Sequence, residues 1–268
     1  MFSETLSKLS NSAVAKVTLL KESKSKYFIA SLLAGFYVGI GIVLITTIGG
    51  LTKSTGPQFR IYMGLAFGIA LTLVIMAGSE LFTGNNLIMS AGAADKKVTW
   101  KDAINIWILS YIGNLAGSTL IGSLFTLSGS ATAPHGAVGE FIVALSKSKM
   151  NAGPSTLFFK GFLCNILVCL AVLCCIKMKE ESAKLVVIFW CLFAFITAGF
   201  EHSIANMTIF TMGLLLPHGP EVSLAGYGYN MLWVTLGNFV GGSALGLCYY
   251  YMGKKSKVKE SILAENKL

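Results

Sequence analysis

Residues 199–207 read Gly-Phe-Glu-His-Ser-Ile-Ala-Asn-Met, and His202 within them is the one histidine placed in an apolar part of the chain; His135 and His218 fall in the connections. An imidazole gives a hydrogen bond, or a proton, near neutral pH. An ionisable group among apolar neighbours is expensive unless it faces a cavity. The plainer alternative is a neutral histidine that satisfies the backbone of an interrupted helix. Glu201 and Ser203 on either side favour the functional reading. Ser203 and His202 do not form a nucleophile–base pair, because adjacent helical residues point in different directions. The six cysteines (Cys164, Cys169, Cys174, Cys175, Cys191, Cys248) lack Cys-x-x-Cys spacing and sit in apolar stretches or at their edges. They read as small packing residues. The few acids and histidines suggest no metal site, no cofactor is expected, and the chain lacks a GxxxxGK[ST] motif for ATP.

The elements that must hold these residues belong to a membrane. Of 268 residues, 54% are hydrophobic and 12% charged, and the mean hydropathy is +0.70. Soluble domains carry about 25% charged residues, and a soluble fold of this length could not hide so much apolar surface. Six apolar stretches, 28–51, 61–94, 104–127, 156–176, 185–216 and 230–252, each reach the roughly 20 residues that a membrane-spanning helix needs. The first is full length and not followed by a small-residue cleavage pattern, so it reads as a span and not as a signal peptide. The expected organisation is an N-terminal segment 1–27, a channel-like membrane domain 28–252 and a basic tail 253–268. With both termini in the cytoplasm, 16 Lys and Arg fall inside, against Lys53, Arg60, Lys147 and Lys149 outside. That bias places both ends at the cytoplasmic side of a cell inner membrane. The net charge of +9 thus reflects topology and attraction to anionic lipid, not a nucleic-acid surface.

The halves 28–127 and 156–252 repeat each other. Gly35-Phe36 aligns with Gly161-Phe162, Glu80 and Asn85 align with Glu201 and Asn206, and Gly113-Asn114-x-x-Gly117 aligns with Gly237-Asn238-x-x-Gly241. Three spans per half require the repeats to insert with opposite topology. The second and fifth stretches are too long for one span and carry polar residues at their middles, Gly78 to Asn86 and Gly199 to Asn206. Both read as broken helices, with Thr83 and Ser203 as caps of the second halves. Two half-helix N-termini pointing at one spot favour an anion. Glu80 and Glu201 are the acids of the spans. They could select cations, or they could accept hydrogen bonds from the opposite break or from Asn114 and Asn238; the second is preferred, since a free carboxylate would repel the anion. Asn165 lies deep enough to neighbour the breaks, and Lys160 snorkels outward or faces the pore. Lys149 raises the local anion concentration or is an ordinary solvated lysine. Glycines at four-residue spacing, such as Gly35/Gly39, Gly113/Gly117 and Gly242/Gly246, suit close helix packing.

GFEHSIANM (199–207), ELFTGN (80–85), NILVCLAV (165–172) and the Gly-Asn pair of the sixth span closely resemble the formate/nitrite transporter family, with most similarity to its hydrosulfide channel branch. The resemblance spans about 28–252. It implies an aquaporin-like all-α fold of six helices, a homo-pentamer and one pore per protomer. By motif position it implies His202 as the pore histidine with Asn165 beside it, Thr83 at the first break, and Lys149 in the outer vestibule. It further implies Phe67, Leu71, Leu81 and Phe195 as constrictions, and Glu201 and Asn238 as braces of the breaks. The chain departs from the family pattern at none of these positions, while 128–150 leaves the outer loop undefined. The expected function is passage of a small monovalent anion of a weak acid, hydrosulfide first, with formate and nitrite also suited, helped by protonation or hydrogen bonding from His202. A neutral-solute pore is the alternative, disfavoured by the missing paired Asn-Pro-Ala signature; a membrane-embedded enzyme using His202 and Glu201 is the more remote one.

Overall fold

The computed structural model describes residues 1–132 and 136–254. His135 and the tail beyond Lys254 lie outside the described residues. All regular structure among these residues is helical: α1 Phe2–Glu22, α2 Lys24–Thr52, α3 Phe59–Ala66, α4 Gly68–Met76, α5 Phe82–Ala94, α6 Trp100–Leu127, α7 Ala137–Met150, α8 Pro154–Lys177, α9 Glu181–Ala198, α10 Ser203–Leu215 and α11 Leu224–Gly253, plus a short 3-10 turn at Lys53–Thr55. Six segments are long and apolar enough to cross a membrane: Lys24–Thr55, Phe59–Met76, Trp100–Leu127, Pro154–Lys177, Glu181–Ala198 and Leu224–Gly253.

The repeat is visible as two helix pairs, α2 with α6 and α8 with α11. Their backbones approach closely because the contact positions are glycines. A side chain at Gly117 would strike the Leu32 carbonyl, and one at Gly241 would strike that of Phe162; Gly35 meets Asn114 and Gly237 meets Phe158 in the same way. Without a hydrophobic drive between helices in lipid, such close contact is a main source of association.

The second and fifth apolar stretches are interrupted. In the first half the chain kinks at Phe67, between α3 and α4, then leaves helical form over 77–81 before α5. In the second half only 199–202 separate α9 from α10. Each break opens on a glycine with positive φ, +77° at Gly78 and +72° at Gly199, a conformation that strains other L residues. Each glycine stands two residues before its glutamate.

Two further helices were not evident from the sequence. The polar N-terminal segment forms α1, which buries Leu6, Leu9, Ala13 and Val17 along one face at the spacing of an amphipathic helix. It lies against α5 and α11, with Ala13 beside Gly92 and Leu6 beside Gly253. The Ser10 hydroxyl donates to the Asp95 carboxylate at 2.7 Å. The stretch after α6, undefined from the sequence, contains α7, which buries Phe141 and Ile142 and carries Lys149 to the mouth of the second break.

Candidate functional site at the crossing of the two breaks

The breaks are held open by two asparagines acting alike. Asn114 of α6 donates to the Glu80 carbonyl at 2.9 Å and the Ser31 carbonyl at 2.7 Å, and its Oδ1 accepts the Phe82 N–H at 2.9 Å. Asn238 of α11 donates to the Glu201 carbonyl at 2.9 Å and the Gly161 carbonyl at 2.7 Å, and accepts the Ser203 N–H at 2.8 Å. Backbone groups that water cannot reach are thereby satisfied, the condition for non-helical chain at membrane depth.

The carboxylates are bound otherwise than expected. Among the described residues, neither Asn114 nor Asn238 hydrogen-bonds to them through the side chain, and no hydrogen bond reaches them from the opposite break. Glu80 instead accepts from Lys16 Nζ at 2.8 Å, Tyr27 Oη at 2.9 Å and Asn85 Nδ2 at 3.2 Å. Glu201 accepts from Lys149 Nζ at 2.8 Å and Asn206 Nδ2 at 2.7 Å. A buried carboxylate is tolerated when a cation and donors surround it, and both sites meet that condition. Asn206 Nδ2 also donates to Asn230 Oδ1 at 2.9 Å, and Asn230 holds the Lys149 carbonyl at 2.8 Å. Lys16, Tyr27 and Asn230 were missed from the sequence because they sit outside the repeated motifs. Asn85 and Asn206 had a signal, since each stands five residues after its glutamate in both halves.

The helix caps also differ from expectation. The N-cap positions are Leu81 and His202, one residue or more before Thr83 and Ser203. Leu81 offers no capping side chain, and Asn114 of α6 takes the first N–H of α5 in its place. His202 caps α10 through Nδ1, which accepts the Ala205 N–H at 3.1 Å. Thr83, freed from capping, places its Oγ1 3.0 Å from His202 Nε2. Because Nδ1 accepts, the proton of the neutral ring resides on Nε2, and Thr83 Oγ1 receives it. The threonine hydroxyl hydrogen is then free to turn toward another acceptor.

His202, Phe67, Leu71, Leu81 and Phe195 line one small cavity of about 10 Å³, about the room for one water. Phe67 and Phe195 meet edge to face at 5.4 Å, and the Phe195 ring stacks with His202 at 6.1 Å. Larger cavities flank it, one of about 510 Å³ reached by Lys16, Glu80 and Leu81, the other of about 340 Å³ reached by Lys149, Glu201 and His202. Thr83 lines none of these three, and neither does Asn165. Its amide donates to the Thr83 carbonyl at 3.2 Å and the Asn238 carbonyl at 2.6 Å, tying the first break to α11. The Cys169 thiol donates to the same Thr83 carbonyl at 3.4 Å.

Comparison with known proteins agrees with this geometry. Residues 3–252 match the family model described as formate/nitrite transporter. The chain is 42% identical over 259 residues to the "Nitrite transporter NirC" of Salmonella typhimurium (strain LT2), covering 96% of this chain and 94% of that protein. A solved "FNT family ion channel" superposes with a TM-score of 0.87 at 39% identity, covering 93% of this chain and 98% of the other. A "Pentameric formate channel with formate bound" superposes with a TM-score of 0.80 at 29% identity, covering 87% and 98%. With its repeat, its paired breaks and its whole membrane part thus matched, the chain belongs to the formate/nitrite transporter family.

Proposed function

We propose that the protein passes small monovalent anions of weak acids through the path formed by the two flanking cavities and the cavity between them. The observation that carries this reading is that His202 and Leu81, the residues at the positive ends of α10 and α5, both line the apolar constriction, with Thr83 Oγ1 paired to His202 Nε2 behind it. Lys149 and Lys16 are assigned the two vestibules, and Phe67, Leu71, Leu81 and Phe195 the narrow part. Asn165 is assigned to positioning Thr83. A bare anion among these side chains loses hydration at large cost. A donor pair and two helix ends offset part of it, and proton gain by the anion offsets more. Since Nδ1 is engaged as a cap, hydrogen bonding from a neutral ring accounts for the role of His202 better than proton donation from an imidazolium does.

Nitrite and formate, named for the relatives, join hydrosulfide, suggested by the sequence resemblance, as the substrates to compare. All three are small, singly charged and protonatable. Purified protein in liposomes is expected to pass nitrite, formate and hydrosulfide faster than chloride, with faster passage at the lower of two pH values. Equal chloride passage, or passage of glycerol at comparable rates, would contradict the reading and favour a neutral-solute pore.

The same reading assigns a homo-pentamer in the cell inner membrane with both termini cytoplasmic. Trp190, Phe159 and Leu232 are exposed on the single protomer and suit lipid or neighbouring copies. The lysine bias read from the sequence supports the orientation.

A further inference from the structure

The two vestibules are not electrically alike. The vestibule on the side of the N-terminus is lined by one cation, Lys16, and one acid, Glu80, and these are paired at 2.8 Å. The opposite vestibule is lined by Lys53, Arg60, Lys149 and Lys160 against the single acid Glu201. Lys149 takes that acid at 2.8 Å. Lys53, Arg60 and Lys160 have no ion-pair partner among the described residues. Arg60 reaches the second break, its Nη1 standing 3.4 Å from where a Cβ on Gly199 would be. Lys160 is anchored at the same place, because its carbonyl accepts the Glu201 N–H at 3.3 Å.

We propose that this vestibule is an anion-holding site separate from His202, built by Arg60, Lys160 and Lys53, that binds oxyanions, including divalent ones too highly charged to cross the constriction. The inference rests on the proposed function for its transport consequences, though not for the binding itself. A guanidinium offers the planar fork that oxyanions fit. The Boltzmann enrichment of a divalent anion is the square of that of a monovalent one at the same potential. A divalent ion therefore occupies the site ahead of the permeant ion and blocks it. The opposite vestibule, whose one lining cation is paired with its one lining acid, holds no such cluster, and sulfate acts there more weakly. The pore thus acquires a sidedness that its repeat symmetry does not supply, and the effect weakens as ionic strength rises.

The probe is inorganic sulfate. Nitrite uptake is measured in membrane vesicles exposing either the mouth opposite the termini or the mouth beside them, each normalised to its uninhibited rate. Sulfate is expected to halve uptake at a concentration about tenfold lower from the first face than from the second. Arg60→Gln/Lys160→Gln is expected to remove that difference. Equal sulfate sensitivity from both faces, or a difference that survives the double substitution, would overturn the proposal. If vesicles of both kinds take up no nitrite, formate or hydrosulfide, the transport reading fails by itself. Calorimetric titration of sulfate into the solubilised wild-type protein and the double variant then decides the site: binding lost in the variant supports it, and binding absent from the wild type or unchanged in the variant overturns it.

Discussion

At the scale of residues, the site depends on one imidazole with both nitrogens occupied. Nδ1 caps α10 and Nε2 faces Thr83, so ring orientation and proton position are set together. Thr83→Val is close in volume yet strands the Nε2–H in a buried place, at a cost of about 1–3 kcal/mol. It is expected to lower the melting temperature in detergent and slow anion passage, whereas Thr83→Ser keeps both near wild type; equal behaviour of Val and Ser would contradict the pairing. His202 was legible in the sequence because an ionisable residue in an apolar run demands an explanation. Its use as a cap was not legible, because Thr and Ser are ordinarily the stronger caps, and only the extended backbone at Leu81 and His202 shifts each helix start ahead of them. Lys16 was invisible as a partner of Glu80 for a different reason: nothing local announces an ion pair closed by a helix packed from 64 residues away.

At the scale of elements, the breaks stand on Asn114 and Asn238. Asn238→Ala removes one acceptor and two donated bonds at once and strands the Glu201 carbonyl and the Ser203 N–H at the start of α10, while the Gly161 carbonyl keeps its bond within α8. With each stranded group costing about 1–3 kcal/mol, it is expected to lower thermal stability more than Thr83→Val does; a smaller effect would mean that other groups hold the break. Lys16→Gln leaves Glu80 with Tyr27 and Asn85 alone and is expected to lower thermal stability, since the carboxylate loses its one cation. Adding Glu80→Gln is expected to recover part of the loss in a double-mutant cycle, and strict additivity would show the pair to be uncoupled. The broken second and fifth helices were readable from their excess length and central glycines. The kink at Phe67 was not, since Ala66-Phe67-Gly68 lies in an unbroken apolar run. Nor was α1, whose apolar face is one residue wide per turn within a lysine-rich segment.

At the scale of the molecule, the internal repeat was legible because the three aligned pairs share similar offsets, and the glycine contacts of α2 with α6 and α8 with α11 follow it. The additions that break the symmetry, α1 on one side and α7 on the other, lie outside the repeat and so outside what self-comparison can find. They supply Lys16 and Lys149, one to each of the two larger cavities. Native mass spectrometry is expected to give five copies per particle, and a smaller closed ring would contradict the proposed assembly. The central claim is that the imidazole at the crossing of the breaks assists the anion. His202→Asn tests it most directly, because asparagine is itself a strong N-cap and preserves the helix start while removing the Nε2 donor. Nitrite flux into proteoliposomes at two pH values is expected to fall by about tenfold or more, the loss of a transition-stage interaction worth at least about 1.4 kcal/mol, with altered pH dependence and little change in melting temperature. Wild-type flux with wild-type pH dependence in a normally folded His202→Asn protein would contradict the account.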